Sequence, residues 1–176
     1  MQDEPLADVI GDIRGDGQMH SLMELVQPYD KEVKRISEIL NIDNRFVPNC
    51  MDFVGNYIRY RTTTIGLWLT PSEVLELQEG DCEKTSILLA SLLRTIYSGE
   101  DVFVVLGLVD EDGQEKGHAW VEFNGQILES TRDSHFLMDA SKYKALLKFN
   151  DYRAYEMDKN PFGYMALSDR YQLAIR

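Results

Sequence analysis

Residues 80–97 read GDCEKTSILLASLLRTIY, a short polar start followed by a long apolar run. Apolar side chains cover most of the circumference of a helix built from this run, which is typical of a helix buried among other elements. Asp81 is a good N-cap residue, so Cys82 becomes the first residue of the helix. The sequence therefore predicts a buried central helix that carries a thiol at its N-terminus.

Helical patterns also precede this central helix. From Asp30 onward apolar residues recur on one face, and a second such pattern covers about residues 49–59. Thr70-Pro71-Ser72-Glu73 combines an N-cap, a proline suited to the first helical position and the glutamate of a capping box. These signals predict N-terminal helices, the last of them ending near Gly80.

After Gly99 the apolar spacing changes to that of strands. The predicted elements are a buried strand over 102–109, a polar loop over 110–117, strands over 118–123 and 126–131, a helix over 139–149, and strand candidates over 152–157 and 164–173. Asn124-Gly125 is a strong type I′ hairpin signal between two of these strands. Helices followed by an antiparallel sheet indicate the α+β class.

The chain length fits one domain. Its 176 residues suffice to bury a core without disulfides or metals. Residues 1–18 are acidic and glycine-rich, which predicts a loosely ordered N-terminal lead. Residues 19–176 are then expected to form a single domain, since no internal repeat or linker divides them.

The hairpin around Asn124-Gly125 permits a geometric prediction. If these two residues form the turn, Phe123 lies opposite Gln126, and alternation sorts the flanking residues onto two faces. The core face carries Ala119, Val121, Phe123 and Leu128, and the other face carries His118, Trp120, Glu129 and Thr131. His118 and Glu129 become diagonal neighbours about 7–8 Å apart at the backbone. We therefore expect a hydrogen bond between their side chains.

Cys82, His118 and Glu129 are the candidate catalytic residues, as nucleophile, base and orienting acid. The helix N-terminus favours a thiolate at Cys82. Three neighbouring carboxylates oppose it by like charge, those of Glu79, Asp81 and Glu83. We expect the imidazolium of His118 to outweigh them, and the backbone N–H at Cys82 to bind the oxyanion of a tetrahedral intermediate.

Charge and composition narrow the function classes. A formal net charge of −12 argues against binding to nucleic acid or to anionic membranes, which requires clustered Lys and Arg. It is compatible with a cationic partner, such as a Lys-rich peptide or a primary amine. No apolar stretch reaches the roughly 18 residues of a membrane span. We expect a peptide or protein substrate, while the oligomeric state stays open.

Cysteine usage bears on cofactors and compartment. Cys50 and Cys82 are the two cysteines of the chain, without a CxxC pair, which argues against a disulfide scaffold and a cysteine-rich zinc site. A metal held by Cys82, His118 and Glu129 would need a fourth protein ligand that the sequence does not supply. We expect no metal, no cofactor and a cytoplasmic setting, with export open for a chain trimmed of its signal.

Three motifs in order resemble the transglutaminase-like superfamily, particularly its small microbial cysteine-proteinase-like members. They are Gly80-Asp81-Cys82-Glu83, Gly117-His118-Ala119-Trp120-Val121-Glu122 and Leu128-Glu129-Ser130-Thr131, preceded by Trp68 and Thr70-Pro71-Ser72-Glu73. The resemblance covers about residues 50–131. It implies a papain-like core, with a nucleophile at Cys82, a base at His118 and an acid at Glu129.

Two departures accompany the resemblance. The family usually has Asp where Glu129 stands, so the longer side chain must shift the ring or start from a recessed strand. No residue matches the family's oxyanion side chain; Trp68 and Gln78 are candidates, and Trp120 is a candidate for shielding the site.

The resemblance leaves three functions open. A thioester at Cys82 resolved by water makes a protease or amidase, which we favour, and resolution by an amine makes a transglutaminase. A domain that keeps the fold without turnover would instead bind a peptide or a partner's tail.

Overall fold

A computed structural model describes residues 9–62, 67–131, 139–157 and 173–175. The helices are α1 Lys31–Leu40, α2 Phe46–Tyr57, α3 Pro71–Leu77 and α4 Cys82–Arg94, with 3₁₀ turns at Leu22–Leu25 and Ala140–Lys142. The strands are β1 Val9–Gly11, β2 His20–Ser21, β3 Arg59–Tyr60, β4 Glu79–Gly80, β5 Val102–Glu111, β6 Gln114–Phe123, β7 Gln126–Leu128, β8 Tyr143–Phe149, β9 Ala154–Glu156 and β10 Leu173–Ile175. The predicted α+β class is confirmed.

Helix α4 is the centre of the core. Every residue from Cys82 to Leu93 is buried, as the apolar run predicts. The helix packs against α1, α2 and α3 on one side and against β5 and β6 on the other. Asp81 is its N-cap, accepting a hydrogen bond from the backbone N–H of Lys84. The predicted start of this helix at Cys82 is therefore confirmed.

The helices that precede α4 follow their sequence signals. Asp30 caps α1, and Val33 and Ile36 on this helix are buried. Thr70 and Glu73 form the predicted capping box of α3. Helix α2 starts at Phe46, three residues before the predicted start at residue 49.

The main sheet is antiparallel, with strand order β7-β6-β5-β8-β9. Asn124 and Gly125 have φ of 49° and 74°, the left-handed values of a type I′ turn. Strands β6 and β7 pair Phe123 with Gln126 and Val121 with Leu128, in the predicted register. Strand β7 ends at Leu128, three residues before the predicted end.

The predicted polar loop over 110–117 is wrong. Strand β5 continues to Glu111 and β6 starts at Gln114, so this segment is the far end of a long hairpin. Asp112 and Gly113 have φ of 54° and 81° and make a two-residue turn. Asp-Gly is a hairpin signal of the same kind as Asn-Gly, and it explains the tight connection.

The predicted helix over 139–149 is also wrong. A 3₁₀ turn ends at Lys142, and β8 then pairs antiparallel with β5. Ala, Leu and Lys are strong helix formers, which explains the prediction. Strand β5 is buried, however, and its backbone groups need partners on both edges. Strand β6 supplies one edge and β8 the other, so sheet pairing overrides local propensity.

Part of the N-terminal segment lies in a small three-stranded sheet. Strand β1 pairs with β2 and with β10, which brings the two ends of the described chain together. Ile10 and Ile13 are buried, and Arg14 forms a bidentate ion pair with Glu73 of α3. The described structure thus begins at Val9, within the segment expected to be a loose or partly ordered lead, and residues 1–8 lie outside the described part.

Two further predictions concern the C-terminal strands and the membrane. The predicted strand over 152–157 is present as β9, whereas 164–173 lies almost entirely outside the described residues. Within the described segments, no helix combines the length and the apolar character needed to cross a bilayer.

Candidate active site

Cys82 lies at the wall of a cavity between the start of α4 and the β5–β6 hairpin. The cavity has a volume of about 610 Å³. Its described lining residues are Tyr60, Thr62, Cys82, Val109, Glu111, Lys116, Gly117, His118 and Thr131. The side chains of Cys82 and His118 line this wall together, and the interaction with Cys82 raises the pKa of His118. The predicted nucleophile and base are therefore neighbours, and both face a space large enough for a peptide segment.

His118 and Glu129 form the second link of the site. His118 Nε2 donates to Glu129 Oε2 at 2.8 Å, which confirms the hydrogen bond expected from the hairpin register. The contact leaves the other ring nitrogen for Cys82. Because Glu129 follows the end of β7, its longer side chain reaches the ring from outside the β6–β7 ladder.

The electrostatics of His118 favour an imidazolium. Burial of the ring disfavours its charged form, but hydrogen bonds to Cys82 and Glu129, together with the charges of these groups, outweigh burial. They raise the pKa of His118 to about 9. The ring is thus protonated at neutral pH and can donate a proton to a leaving group.

Glu129 is a buried carboxylate, 3% exposed, that stays charged because it is well partnered. Burial raises the pKa of Glu129, yet the hydrogen bond and charge of His118 and further bonds from Thr131 and Tyr143 bring it below its ordinary value. The Thr131 hydroxyl donates to Oε1 at 2.9 Å, and the Tyr143 hydroxyl donates to Oε2 at 3.0 Å. A carboxylate held in this way fixes the imidazole ring and stabilises its protonated form.

A cluster of buried hydroxyl groups connects the segment of Glu129 to helix α4. The hydroxyl of Ser130 lies 2.8 Å from that of Thr85 and 3.0 Å from that of Ser86. The Thr85 hydroxyl donates in turn to the backbone oxygen of Asp81. The residue after Glu129 is thereby bonded to the first turn of α4, the turn that begins with Cys82.

The negative charge of Asp81 beside the thiol is offset within the helix. Lys84 Nζ donates to Asp81 Oδ2 at 2.7 Å, and both residues are buried. Burial raises the pKa of Asp81, but hydrogen bonds with Glu83 and Lys84 and the charge of Lys84 outweigh it and lower the pKa. The ammonium of Lys84 therefore reduces the like-charge opposition to a thiolate at Cys82.

The negative charge of Glu79 is offset as well, by arginine side chains at the surface. Its carboxylate pairs with Arg59 and with Arg61, the latter at 3.1 Å. Glu79 and Asp81, both expected to oppose a thiolate, thus have cationic partners.

Comparison with known proteins settles the family. A family model described as the transglutaminase-like superfamily matches residues 33–132, more than half of the chain. The chain belongs to the transglutaminase-like superfamily. The matched range contains Cys82, His118 and Glu129, and it agrees with the resemblance of the motifs.

Solved structures show the same fold in this transglutaminase-like domain. Calcium-bound LapG of Legionella pneumophila is 18% identical with a TM-score of 0.58, over 79% of this chain and 87% of that one. A second LapG structure from the same organism is 19% identical with a TM-score of 0.56, over 85% and 93%. EGTA-treated LapG of Legionella pneumophila is 19% identical with a TM-score of 0.57, over 85% of this chain and 95% of that one. A search of curated proteins gave no match.

Three site candidates of the transglutaminase-like domain are not among the described lining residues of the cavity, and one of them adjoins His118. Trp68 is buried in the main core. Gln78 is exposed at the C-terminus of α3, where its amide donates to the Tyr57 hydroxyl at 2.5 Å. Trp120 stacks beside His118 with ring centroids 6.3 Å apart. The structure thus brings Trp120 to the site as a neighbour of the ring, and it brings neither Trp68 nor Gln78 there.

The sequence prediction assigned no role to Lys84 or Tyr143. Lys84 has the (i, i+3) spacing from Asp81 that is usual for an ion pair on a helix surface. The apolar residues of this helix are the signal that could have indicated a buried pair. Tyr143 fell within the wrongly predicted helix. No cluster of three or more potential metal ligands occurs among the residues that the structure describes.

Proposed function

We propose that this protein is a cysteine-dependent acyl-transfer enzyme that hydrolyses peptide or side-chain amide bonds. The observation that carries the proposal is the placement of Cys82 and His118 on one wall of a 610 Å³ cavity, with His118 hydrogen-bonded to buried Glu129. A thiol, an imidazole and a buried carboxylate in this order supply a nucleophile, a proton carrier and an orienting acid.

The first half of the reaction forms a thioester. The thiolate of Cys82 attacks the carbonyl carbon of the amide, and the carbonyl electrons move to the oxygen. The backbone N–H of Cys82 has no acceptor within its own helix at this first position, so it is suited to bind that oxyanion. As the carbon–nitrogen bond breaks, the His118 imidazolium gives its proton to the leaving nitrogen.

The second half releases the acid. Neutral His118 takes a proton from water, and the resulting hydroxide attacks the thioester carbon. The carbon–sulfur bond breaks, and a carboxylic acid, the Cys82 thiolate and the His118 imidazolium result. An amine in place of water would give transamidation by the same steps. We propose water, in keeping with the resemblance to small microbial cysteine-proteinase-like members, and because the described lining residues do not by themselves distinguish an amine acceptor from a cationic substrate.

The acidity of the chain supports a cationic polypeptide as substrate. Glu111 at the cavity wall belongs to a hairpin end that also carries exposed Asp110, Asp112 and Glu115, with Lys116 as the counter-charge. Two free cysteines further fit a reducing compartment such as the cytoplasm.

Alkylation by iodoacetamide tests the nucleophile without a known substrate. At pH 7 we expect Cys82 to react at least tenfold faster than Cys50, and His118→Ala to remove that preference. Mass spectrometry of tryptic peptides gives both rates in one sample. Equal rates at the two cysteines, unaffected by the His118 substitution, would overturn the proposal.

A second experiment separates hydrolysis from transamidation. A mixture of denatured proteins rich in Lys and Arg is incubated with the enzyme and dansylcadaverine, and Cys82→Ser is the control. Hydrolysis yields new chain termini, or a glutamate side chain with release of ammonia, whereas transamidation yields fluorescent protein. Fluorescent product without hydrolysis would replace the hydrolase proposal with a transglutaminase.

One observation favours a binding module as the second candidate. Cys82 is 4% exposed, so a bound peptide has little direct access to the sulfur. Under this alternative the cavity holds a peptide without turnover. Capture of a peptide by Cys82→Ser as strong as by the wild type, with no product from any amide, would support it. A thioester trapped from an activated peptide would exclude it.

A further inference from the structure

The carboxylate of Glu129 accepts hydrogen bonds from two further side chains besides His118. Its Oε2 atom accepts from His118 Nε2 at 2.8 Å and from the Tyr143 hydroxyl at 3.0 Å. Its Oε1 atom accepts from the Thr131 hydroxyl at 2.9 Å. The oxygen that holds the imidazole is therefore shared with a phenol, and both bonds lie in a buried environment where the loss of a donor is costly.

Tyr143 reaches this oxygen from across the sheet. It is the first residue of β8 and pairs with Val109 of β5, so β5 lies between its strand and the strand of His118. Its ring packs edge-on against Trp120, with centroids 5.1 Å apart and planes at 80°, and lies 6.5 Å from the His118 ring. Packing on Trp120 fixes the ring, and the fixed ring aims its hydroxyl at Glu129.

Gly107 makes the space for this aromatic pair. It pairs with His118 on one side and with Ala145 on the other, at a register shift between β5 and β8. A Cβ at this position would lie 2.6 Å from the Trp120 ring. The glycine therefore permits the Trp120 ring to lie beside His118, where Tyr143 packs on it.

The arrangement also accounts for glutamate in place of aspartate. Glu129 starts beyond the end of the β6–β7 ladder, and its extra methylene carries the carboxylate to a point where both His118 and Tyr143 reach one oxygen. An aspartate would draw the carboxylate back by about one carbon–carbon bond, roughly 1.5 Å. It would then lose at least one of the two bonds.

We propose that Tyr143 is a positioning residue of the active site, which holds Glu129 in the orientation that keeps His118 against Cys82. The inference rests on the proposed function, since it assigns the hydroxyl a role in the reactivity of Cys82. Tyr143 acts through Glu129 and does not itself touch the reacting atoms.

A double-mutant cycle on the alkylation rate of Cys82 tests this role. Tyr143→Phe keeps the ring packed on Trp120 and removes the hydroxyl, and we expect alkylation at pH 7 to slow about fivefold. In a Glu129→Gln background the charged acceptor is replaced by a neutral amide oxygen, so Tyr143→Phe should have a smaller effect than in the wild type. Tyr155→Phe is the matched control, since its hydroxyl contacts Arg153 outside the site; it should leave the rate unchanged.

Glu129→Asp is the second variant, and it keeps the test open if Glu129→Gln fails to fold. We expect it to slow alkylation and to reduce the effect of Tyr143→Phe to less than twofold. A Tyr143→Phe rate equal to that of the wild type, or equal slowing in the wild-type and Glu129-variant backgrounds, would overturn the role of Tyr143. Such a result would leave the proposed function intact if wild-type Cys82 still reacted faster than Cys50. Loss of that preference in the wild type would overturn both.

Discussion

Cys50 and Cys82 are both buried thiols on helices, and their surroundings differ in every respect that controls reactivity. Cys50 lies in the middle of α2 with no exposed surface, and burial raises the pKa of its thiol to about 12. Cys82 starts α4 and lines a cavity together with His118, an imidazole with a raised pKa. Burial alone makes a thiol inert, whereas a neighbouring cation favours its reactive form, which is the basis of the proposed role of Cys82.

The largest difference between the two cysteines is expected in turnover. Cys82→Ser should lower kcat on any amide substrate at least about a thousandfold, because the serine hydroxyl is a far weaker nucleophile in this setting. Cys50→Ser should change kcat less than twofold in protein that remains folded. Release of amine from a substrate peptide measures both. Substantial turnover by Cys82→Ser would place the nucleophile elsewhere.

Gly107→Ala should disturb the Cys82 region and not the Cys50 region. A Cβ at Gly107 would lie 2.1 Å from the backbone oxygen of Lys144, so the strands must separate. We expect a loss of about 2–3 kcal/mol in the free energy of unfolding and slower alkylation of Cys82. Urea denaturation measures the first and mass spectrometry the second.

Gly55→Ala is the matched control for that substitution. Gly55 lies in α2, the helix of Cys50, and a Cβ there meets no atom within 4 Å. Alanine should stabilise the helix by up to about 1 kcal/mol. If both alanine variants had the same stability, the tight packing at Gly107 would be excluded.

The pH dependence of turnover should reflect the raised pKa of His118. The reaction needs the protonated ring as the general acid, and the folded-state pKa of about 9 lies above the ordinary value of 6.5. The proton is therefore retained across neutral pH and lost as pH rises through about 9. We expect kcat to fall on the alkaline side with an apparent pKa near 9, about tenfold per pH unit beyond it.

The alkaline limb of the profile in Glu129→Gln supplies a check on that assignment. Glu129→Gln removes the charge that favours the imidazolium, so the alkaline limb should move to lower pH. An alkaline limb that stays in place in Glu129→Gln would show that His118 does not cause it.

Ser130→Ala should have the smallest effect. It removes the hydroxyl that joins the segment after β7 to Thr85 and Ser86 of α4. We expect a loss of about 1 kcal/mol in stability and alkylation of Cys82 slowed about threefold. Ser91→Ala is the control. Ser91 lies on α4, is buried like Ser130, and its hydroxyl donates a hydrogen bond to the backbone oxygen of Ile87. Equal slowing of Cys82 alkylation in both variants would refute a specific role for Ser130.

Local signals predicted the parts of the molecule in which neighbouring residues decide the structure. The Asn124-Gly125 turn determines the hairpin register, and that register alone predicts that Glu129 lies beside His118. Asp81 as N-cap placed Cys82 at the start of α4. Each of these features depends on backbone preferences within a few residues.

The sequence did not predict features that depend on distant pairing. Residues 143–149 favour a helix locally and form β8 because β5 needs a second partner strand. The same error hid Tyr143, which bonds Glu129 only once β8 lies in the sheet. The burial of the Lys84–Asp81 pair likewise depends on how α4 is covered by the other helices and the sheet.

The pKa of His118, measured by NMR of the labelled imidazole, tests most directly whether an imidazolium is held between Cys82 and Glu129. We expect a pKa of about 9 in the wild type and a lower value in Cys82→Ser, because the interaction with Cys82 that raises the pKa is lost. A wild-type value near 6.5, unchanged in Cys82→Ser, would contradict it.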